Sequence, residues 1–329
     1  MKKSLFFIIT ISLLSLSVSL ADLRIIHIDV NQGDSTLILD SNSMKSLLVD
    51  AGNRGYGHKV IAPLLNSLGI KKITYFLATH YDADHIDGFD ELSKEGISII
   101  EKVFDRGDYT DRKKKTARNN VTQYGEYLEA AGEQRETVSL CNIAGDNNDF
   151  RQIISLGEDT QVEIVAACGK YIQKLDNGMY AVGDKNIAEQ HDNDLSIALV
   201  VRHGSFDYFI GGDLTGGGNQ TAKMEQSVAP FVSDIDVLKL NYHGSATSSS
   251  EFFLNTLLPE AVIISVGDGG VNLRYRLPRQ VVLNRLNELE PRPMVFQTHR
   301  GEGGYYKGAY IENRHVVIHS NGHSYTING

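Results

Sequence analysis

Cysteine is scarce in this chain: Cys141 and Cys168 are its only thiols. They stand far apart and form no paired motif, which excludes a cysteine-built zinc site. A disulfide between them is permitted, but their spacing does not establish it. No apolar run after residue 21 is long enough to cross a bilayer, so the rest of the chain is expected to stay out of the membrane. Basic charge is also in deficit. Lys and Arg number 32 against 41 Asp and Glu, a formal charge of −9. This argues against a broad basic face for non-specific DNA binding, while leaving room for a local basic groove. The sequence shows no internal repeat and no low-complexity linker.

What is present begins with an export pattern. Lys2 and Lys3 form a charged start, Leu5 to Leu14 an apolar core, and Ser15–Ala21 a small-residue tail. Ser19 and Ala21 suit the positions before a cut after Ala21. The apolar core is short for a membrane anchor, and no cysteine at the cut invites lipidation. Residues 1–21 therefore read as a signal peptide. Residues 22–329 read as one periplasmic or secreted domain, long enough for a large core.

Short apolar segments separated by turn residues dominate the first third: Leu23–Val30, Thr36–Leu39 and Ser46–Val49. Val60–Leu68 has helical spacing and stops at Gly69. Ile73–Ala78 reads as a buried strand, with a helix beginning in Ile86–Leu92. Residues 105–190 are less regular and read as a variable insertion, although Thr122–Ala131 suits a helix and Val162–Ala167 a strand. That stretch holds the strongest basic run, with Arg112, Lys113, Lys114, Lys115 and Arg118. It reads as a solvated loop or as a phosphate-contacting lid. Strand character returns at Leu195–Arg202, Tyr208–Ile210, Val237–Leu240, Ala261–Val266, Met294–Gln297 and Val316–His319. Arg279–Leu289 is spaced as a helix.

The chemistry concentrates in Thr79-His80-Tyr81-Asp82-Ala83-Asp84-His85-Ile86-Asp87-Gly88. Two imidazoles and two carboxylates fall within six residues, just after the strand Ile73–Ala78. Open sheets present ligands at such strand ends. So tight a group needs positive charge between its members. Asp213 and His243 also follow strand-like segments. If the three strand ends neighbour one another, six ligands converge on one or two divalent cations. One aspartate would bridge the pair, and a metal-bridged hydroxide would serve as nucleophile.

This chain resembles the metallo-beta-lactamase fold superfamily, and within it the hydrolase domain of the ComEC-like competence proteins. The motifs are Ile28-Asp29-Val30-Asn31-Gln32-Gly33-Asp34-Ser35, Thr79–Gly88, Asn193-Asp194-Leu195-Ser196, Gly212-Asp213 and His243-Gly244-Ser245, in that order. The resemblance implies an α/β fold, a four-layer αββα sandwich. It implies two divalent ions, and the mixed carboxylate and imidazole set suits Zn or Mn. One would be held by His80 and Asp82 with Asp194, in preference to His191. The other would be held by Asp84, His85 and His243, with Asp213 bridging. Asp84 and Asp213 are the expected catalytic carboxylates. Asp29 and Asp34 would support the site or serve only as turn residues. Ser245, Arg274, Arg276 and His299 are the candidate substrate contacts.

Two departures accompany the resemblance. Asp82 stands where most of the superfamily has histidine. Tyr275-Arg276-Leu277-Pro278 stands where the ComEC branch carries Tyr-Gly-His-Pro, and Leu277 neither moves a proton nor binds metal. The sequence also lacks a membrane-channel portion, so a DNA-uptake pore is not expected. The expected function is a secreted metal-dependent hydrolase, a phosphodiesterase or nuclease. Its partner would be a phosphoester substrate, either nucleic acid or a cell-envelope polymer. The alternatives are hydrolysis of envelope phosphoesters such as choline-phosphate groups, and a non-catalytic metal-stabilised binding protein.

Overall fold

The computed structural model describes residues 22–108, 122–143, 150–187, 192–268 and 275–328. The signal-peptide pattern, the Arg112–Arg118 run, His191 and Arg274 lie outside these residues. The first half supplies strands β1 (Leu23–His27), β2 (Thr36–Asp40), β3 (Ser46–Val49), β4 (Lys72–Leu77), β5 (Ser98–Asp105) and β6 (Arg135–Thr137). Next come β7 (Gln152–Ser155), β8 (Thr160–Ala167), β9 (Lys170–Lys174), β10 (Tyr180–Asp184), β11 (Ala198–His203) and β12 (Phe206–Ile210). A glycine-rich hairpin, β13 (Gly216–Gly218) and β14 (Thr221–Lys223), is followed by β15 (Val237–Lys239), β16 (Ala261–Ile264), β17 (Met294–Gln297) and β18 (Tyr310–Ile311). The last two strands are β19 (Val316–Ser320) and β20 (Tyr325–Ile327).

Among the described residues these strands form two large sheets. The eight-stranded sheet runs β20-β19-β1-β2-β3-β4-β5-β6; the ten-stranded one runs β10-β9-β8-β11-β12-β15-β16-β17-β18, with β7 beside β8. Residues 105–190 are thus woven into both sheets, supplying β6 to the first and β7–β10 to the second.

Side-chain alternation sets the layers. Ile25 and Ile38 point into an inter-sheet core with Ile164, Leu199, Ile210 and Ile263. Their neighbours Ile26, Leu37 and Leu39 point the other way, against Leu65, Phe89, Leu92 and Tyr127 of helices covering the first sheet. Val200, Phe209 and Leu238 face a third core with Val228, Phe253 and Leu283 of the helices Met224–Val232, Glu251–Leu257 and Gln280–Glu288. A strand buried on both faces cannot show the polar alternation of a half-exposed one, hence the near-continuous apolar runs. The result is the expected αββα sandwich.

Cys141 and Cys168 are joined by a disulfide, with Cα atoms 5.4 Å apart across a sequence separation of 27. It ties the turn after β6 to the β8–β9 hairpin. A loop of that length is worth about 3.5 kcal/mol of chain entropy. Replacing both cysteines by serine should lower unfolding stability in urea by about that amount. A double variant with the wild-type midpoint would show that the bond contributes nothing.

Candidate metal centre

The site lies where both sheets deliver the C-terminal ends of their parallel strands. After β4 the chain turns at Thr79, which Asp50 holds twice: the Thr79 amide donates to Asp50 Oδ1 and the Thr79 hydroxyl to Asp50 Oδ2, both at 2.8 Å. Asp50 Oδ2 also lies 2.7 Å from His85 Nδ1. His80 Nδ1 stands 3.1 Å from the Thr79 hydroxyl oxygen. His243, on the turn after β15, places Nδ1 2.9 Å from the Ser265 carbonyl. In each ring, then, Nδ1 donates to protein oxygen, so Nε2 is the nitrogen left to hold a metal. Gly212 lets the second sheet approach: at φ +55°, a Cβ there would sit 2.6 Å from the Thr79 hydroxyl.

These three Nε2 atoms converge on Asp213. Its Oδ1 lies 3.3 Å from His85 Nε2 and 3.6 Å from His243 Nε2, while Oδ2 lies 3.9 Å from His80 Nε2. Asp84 Oδ2 is 3.5 Å from His243 Nε2, and Asp82 Oδ2 is 3.7 Å from His80 Nε2. The two faces of the Asp213 carboxylate therefore look at different ligand sets. His80 Nε2, His85 Nε2, His243 Nε2 and Asp213 Oδ1 are all buried without a hydrogen-bond partner. Four orphaned polar atoms facing one another are costly without a cation between them, and they fit a divalent one.

Asp34, His85, Asp213 and His243 are buried with potential ligand atoms all within 4.8 Å of one another. Asp34, however, stands behind the rings. It lies 3.7 Å from His243 Nδ1 and 4.0 Å from His85 Nδ1, and it is ion-paired to the fully buried Lys239. It is a support to the ligands, as Asp50 is. Burial pushes the Asp34 carboxyl up, but Lys239, His243 and His85 more than offset this and hold it below its ordinary value. The buried Glu225 carboxylate accepts from Asn241 Nδ2 and from the Ser249 and Ser250 amides, pinning the turn that carries His243.

The structure brings His80, Asp82, Asp84, His85, Asp213 and His243 together. Asp194, expected as a ligand, instead turns both carboxylate oxygens to the β13–β14 hairpin: Oδ1 accepts from the Thr215 hydroxyl and Oδ2 from the Ala222 amide at 3.0 Å. Ser245 does not line the cleft; its hydroxyl meets Thr247 Oγ1 at 3.2 Å within the turn. Arg276 is exposed and also off the cleft wall. His299 is engaged by Asp29 at 2.9 Å, which gives Asp29 a structural task away from the cluster. Sequence reasoning missed Asp50, Lys239 and Tyr242. The strand-stopping Val49-Asp50-Ala51-Gly52 was the one available signal for Asp50.

The ligands open into a cleft of about 230 Å³, lined also by Gln32, Asn53, Tyr242, Tyr275 and Leu277. Burial, followed by the nearby Asp213, Asp82, Tyr275 and Asp84, pushes the Tyr242 hydroxyl above the usual phenol range, so it remains an O–H donor at neutral pH. A wider groove of about 750 Å³ lies at the opposite strand ends, near Asp236, Glu260 and Met294. It holds no convergent ligand set among the described residues.

Residues 28–101 match the metallo-beta-lactamase superfamily. The chain is 27% identical over 274 residues to ComE operon protein 3 of Bacillus subtilis (strain 168), covering 79% of this chain and 30% of that protein. The chain has the metallo-beta-lactamase fold and is similar to the ComEC-like competence proteins. Recombination protein 2 of Haemophilus influenzae is 26% identical over 264 residues, covering 79% of this chain and 26% of that protein. The chain thus spans less than a third of the length of these competence-related relatives. Among solved structures, a CmlA beta-hydroxylase E377D mutant shares the fold, with a TM-score of 0.51 and 13% identity over 91% of this chain and 54% of that one. In a metallo-beta-lactamase fold, the imidazole–carboxylate cluster is a divalent-metal centre of the hydrolase kind. Among the described residues, no helix is long and apolar enough to cross a membrane.

Proton linkage at this centre is measurable. Without metal, burial pushes His85 and His243 down, but Asp213 with Asp50, and Asp34 with Asp213, raise them above the ordinary value. Burial pushes Asp213 up, and His85, His243 and His80 bring it well below. The raised imidazoles stabilise the metal-free fold fully below pH 6.5, and this is lost as pH rises through their folded pKa values. The depressed carboxyl contributes above pH 3.8, and this is lost as pH falls through its folded pKa. Metal needs neutral imidazoles, so loading should release about one to two protons and tighten from pH 6 to 8. Calorimetry in buffers of different ionisation enthalpy reads this; no proton release would refute it.

Proposed function

We propose that the protein is an exported phosphodiesterase acting on small or single-stranded phosphodiesters, nucleic acid included. His80, Asp82 and Asp213 would hold one divalent ion, zinc or manganese, and Asp84, His85, Asp213 and His243 a second. Bound there, such ions supply Lewis acidity and a water that ionises near neutral pH. The chain's own residues fix the geometry. Asp213 offers one oxygen to each ligand set. Asp50 and Ser265 hold the imidazoles in the ligating tautomer. Asp84, its side chain 19% exposed against 40% for Asp82, is the better enclosed cleft carboxylate and orients the attacking water. The division of Asp213 between two ligand sets is the observation that carries this reading.

The formal charge of −9 opposes steering of long duplex DNA. The pattern of residues 1–21 and the Cys141–Cys168 bond support a place outside the cytoplasm. The test is hydrolysis of bis(p-nitrophenyl) phosphate and of a single-stranded oligonucleotide by zinc- or manganese-loaded protein. Turnover removed by chelation and restored by metal is expected. No turnover of any phosphodiester by protein of verified metal content would overturn the reading.

A further inference from the structure

Tyr242 carries a cost that the fold does not explain. It sits at φ +51°, ψ +41°, and His243 beside it at φ +50°, ψ +24°. Left-handed backbone is unfavourable for a residue with a β-carbon, and an aromatic residue has no local hydrogen bond to offset it, unlike asparagine. His243 needs this turn to aim Nε2 at Asp84 and Asp213. Tyr242 has no such role in packing. Its amide donates to the Gly212 carbonyl at 3.0 Å, which most residues would do equally well. Its side chain lines the cleft, and its hydroxyl makes no hydrogen bond among the described residues. Strain of this kind, held at a site, points to a task.

The rest of the wall indicates what that task is. The Gln32 carboxamide also lines the cleft without a partner of its own among the described residues. No lysine or arginine lines it among the described residues, and Lys239 is buried behind it against Asp34. Asp82 and Asp84 stand at its mouth. A phosphomonoester carries about −1.5 to −2 near neutral pH, a diester one charge fewer or nearly so. Beside those carboxylates, neutral donors suit the singly charged group, whereas a cationic clamp would favour the doubly charged one.

We propose that the Tyr242 hydroxyl, with the Gln32 carboxamide, hydrogen-bonds the phosphoryl oxygens of a singly charged phosphodiester and thereby selects diesters over monoesters. The proposal rests on the phosphodiesterase reading and names the contact that gives it specificity. The test uses metal-loaded wild type, Tyr242→Phe and Tyr242→Arg. Calorimetry measures dimethyl phosphate, a diester that turns over slowly, and emission spectroscopy measures metal content. Kinetics compare bis(p-nitrophenyl) phosphate with p-nitrophenyl phosphate.

Tyr242→Phe should weaken dimethyl phosphate and raise KM for the diester by about tenfold, with metal content unchanged. Tyr242→Arg should shift the diester-to-monoester ratio of kcat/KM at least tenfold towards the monoester. Wild-type affinity and KM in Tyr242→Phe would overturn the proposal. So would failure of wild type to bind dimethyl phosphate, or metal loss from Tyr242→Phe, which would make the residue a ligand. If wild type binds dimethyl phosphate and Tyr242→Phe weakens it, yet wild type turns over no diester, the contact stands and the phosphodiesterase reading falls. Turnover with an indifferent Tyr242→Phe gives the reverse.

Discussion

Asp213→Ala should lose metal and turnover together, with kcat/KM down by at least about 1,000-fold. Asp213 is 2% exposed and stands within 3.9 Å of three imidazole Nε2 atoms. No other carboxylate among the described residues faces all three. Asp82 approaches His80, and Asp84 approaches His243, each from its own side. Removing Asp213 unlinks the two ligand sets and leaves the imidazoles facing a gap. The same substitution removes an anion that holds protons on His85 and His243 in metal-free protein. Histidine NMR should therefore show both titrating at lower pH in the variant. Asp213→Asn separates charge from shape: it preserves the packing but not the linkage. A variant that kept full metal content and activity within tenfold of wild type would remove Asp213 from the centre of the mechanism.

Lys239→Met should be the costliest single change to stability, about 3–5 kcal/mol in urea unfolding. Lys239 is 0% exposed and its ammonium is paired with Asp34, which is 2% exposed. Losing the cation strands a carboxylate between the sheets, behind His85 and His243. The double variant Lys239→Met/Asp34→Leu removes both charges and should recover most of the loss, because an apolar pair carries no uncompensated charge. His27 is a companion reporter. Burial and Lys239 push its pKa down to about 3, so it is neutral in the fold. A depressed histidine makes the folded state lose stability as pH falls below 6.5, since only the unfolded chain takes the proton. That acid sensitivity should soften in Lys239→Met. A single variant within 1 kcal/mol of wild type would show the pair to be dispensable.

Much of the centre was legible because ligands follow strands. The run Ile73–Ala78 announces His80, and the same logic finds Asp213 after β12 and His243 after β15. Ser46–Val49 and Met294–Gln297 appear with the expected bounds, since apolar runs closed by turn residues leave little choice of end. Asp194 was misplaced for a local reason. Gly216–Gly218 carries no side chains from which to read a strand, so the hairpin that claims Asp194 was invisible. Lys239 resembles a surface lysine until Asp34, far away in sequence, is folded against it. Tyr242 needed a backbone angle that no residue pattern encodes. β9 and β10, with Lys, Gln, Tyr and Asp along them, lack the apolar periodicity that marks their neighbours.

The pairing of β1 with β19 bears on how the molecule comes into being. Leu23 lies opposite Ser320 and His27 opposite Val316, so one of the earliest segments closes against one of the latest. A growing polypeptide emerging from the ribosome cannot complete this sheet until Val316–Ser320 has been made. Closing that sheet must wait for β19, and a search across so long a stretch of chain makes it slow. Until then β1 has β2 on one side and an open edge on the other, an edge that a chaperone can cover.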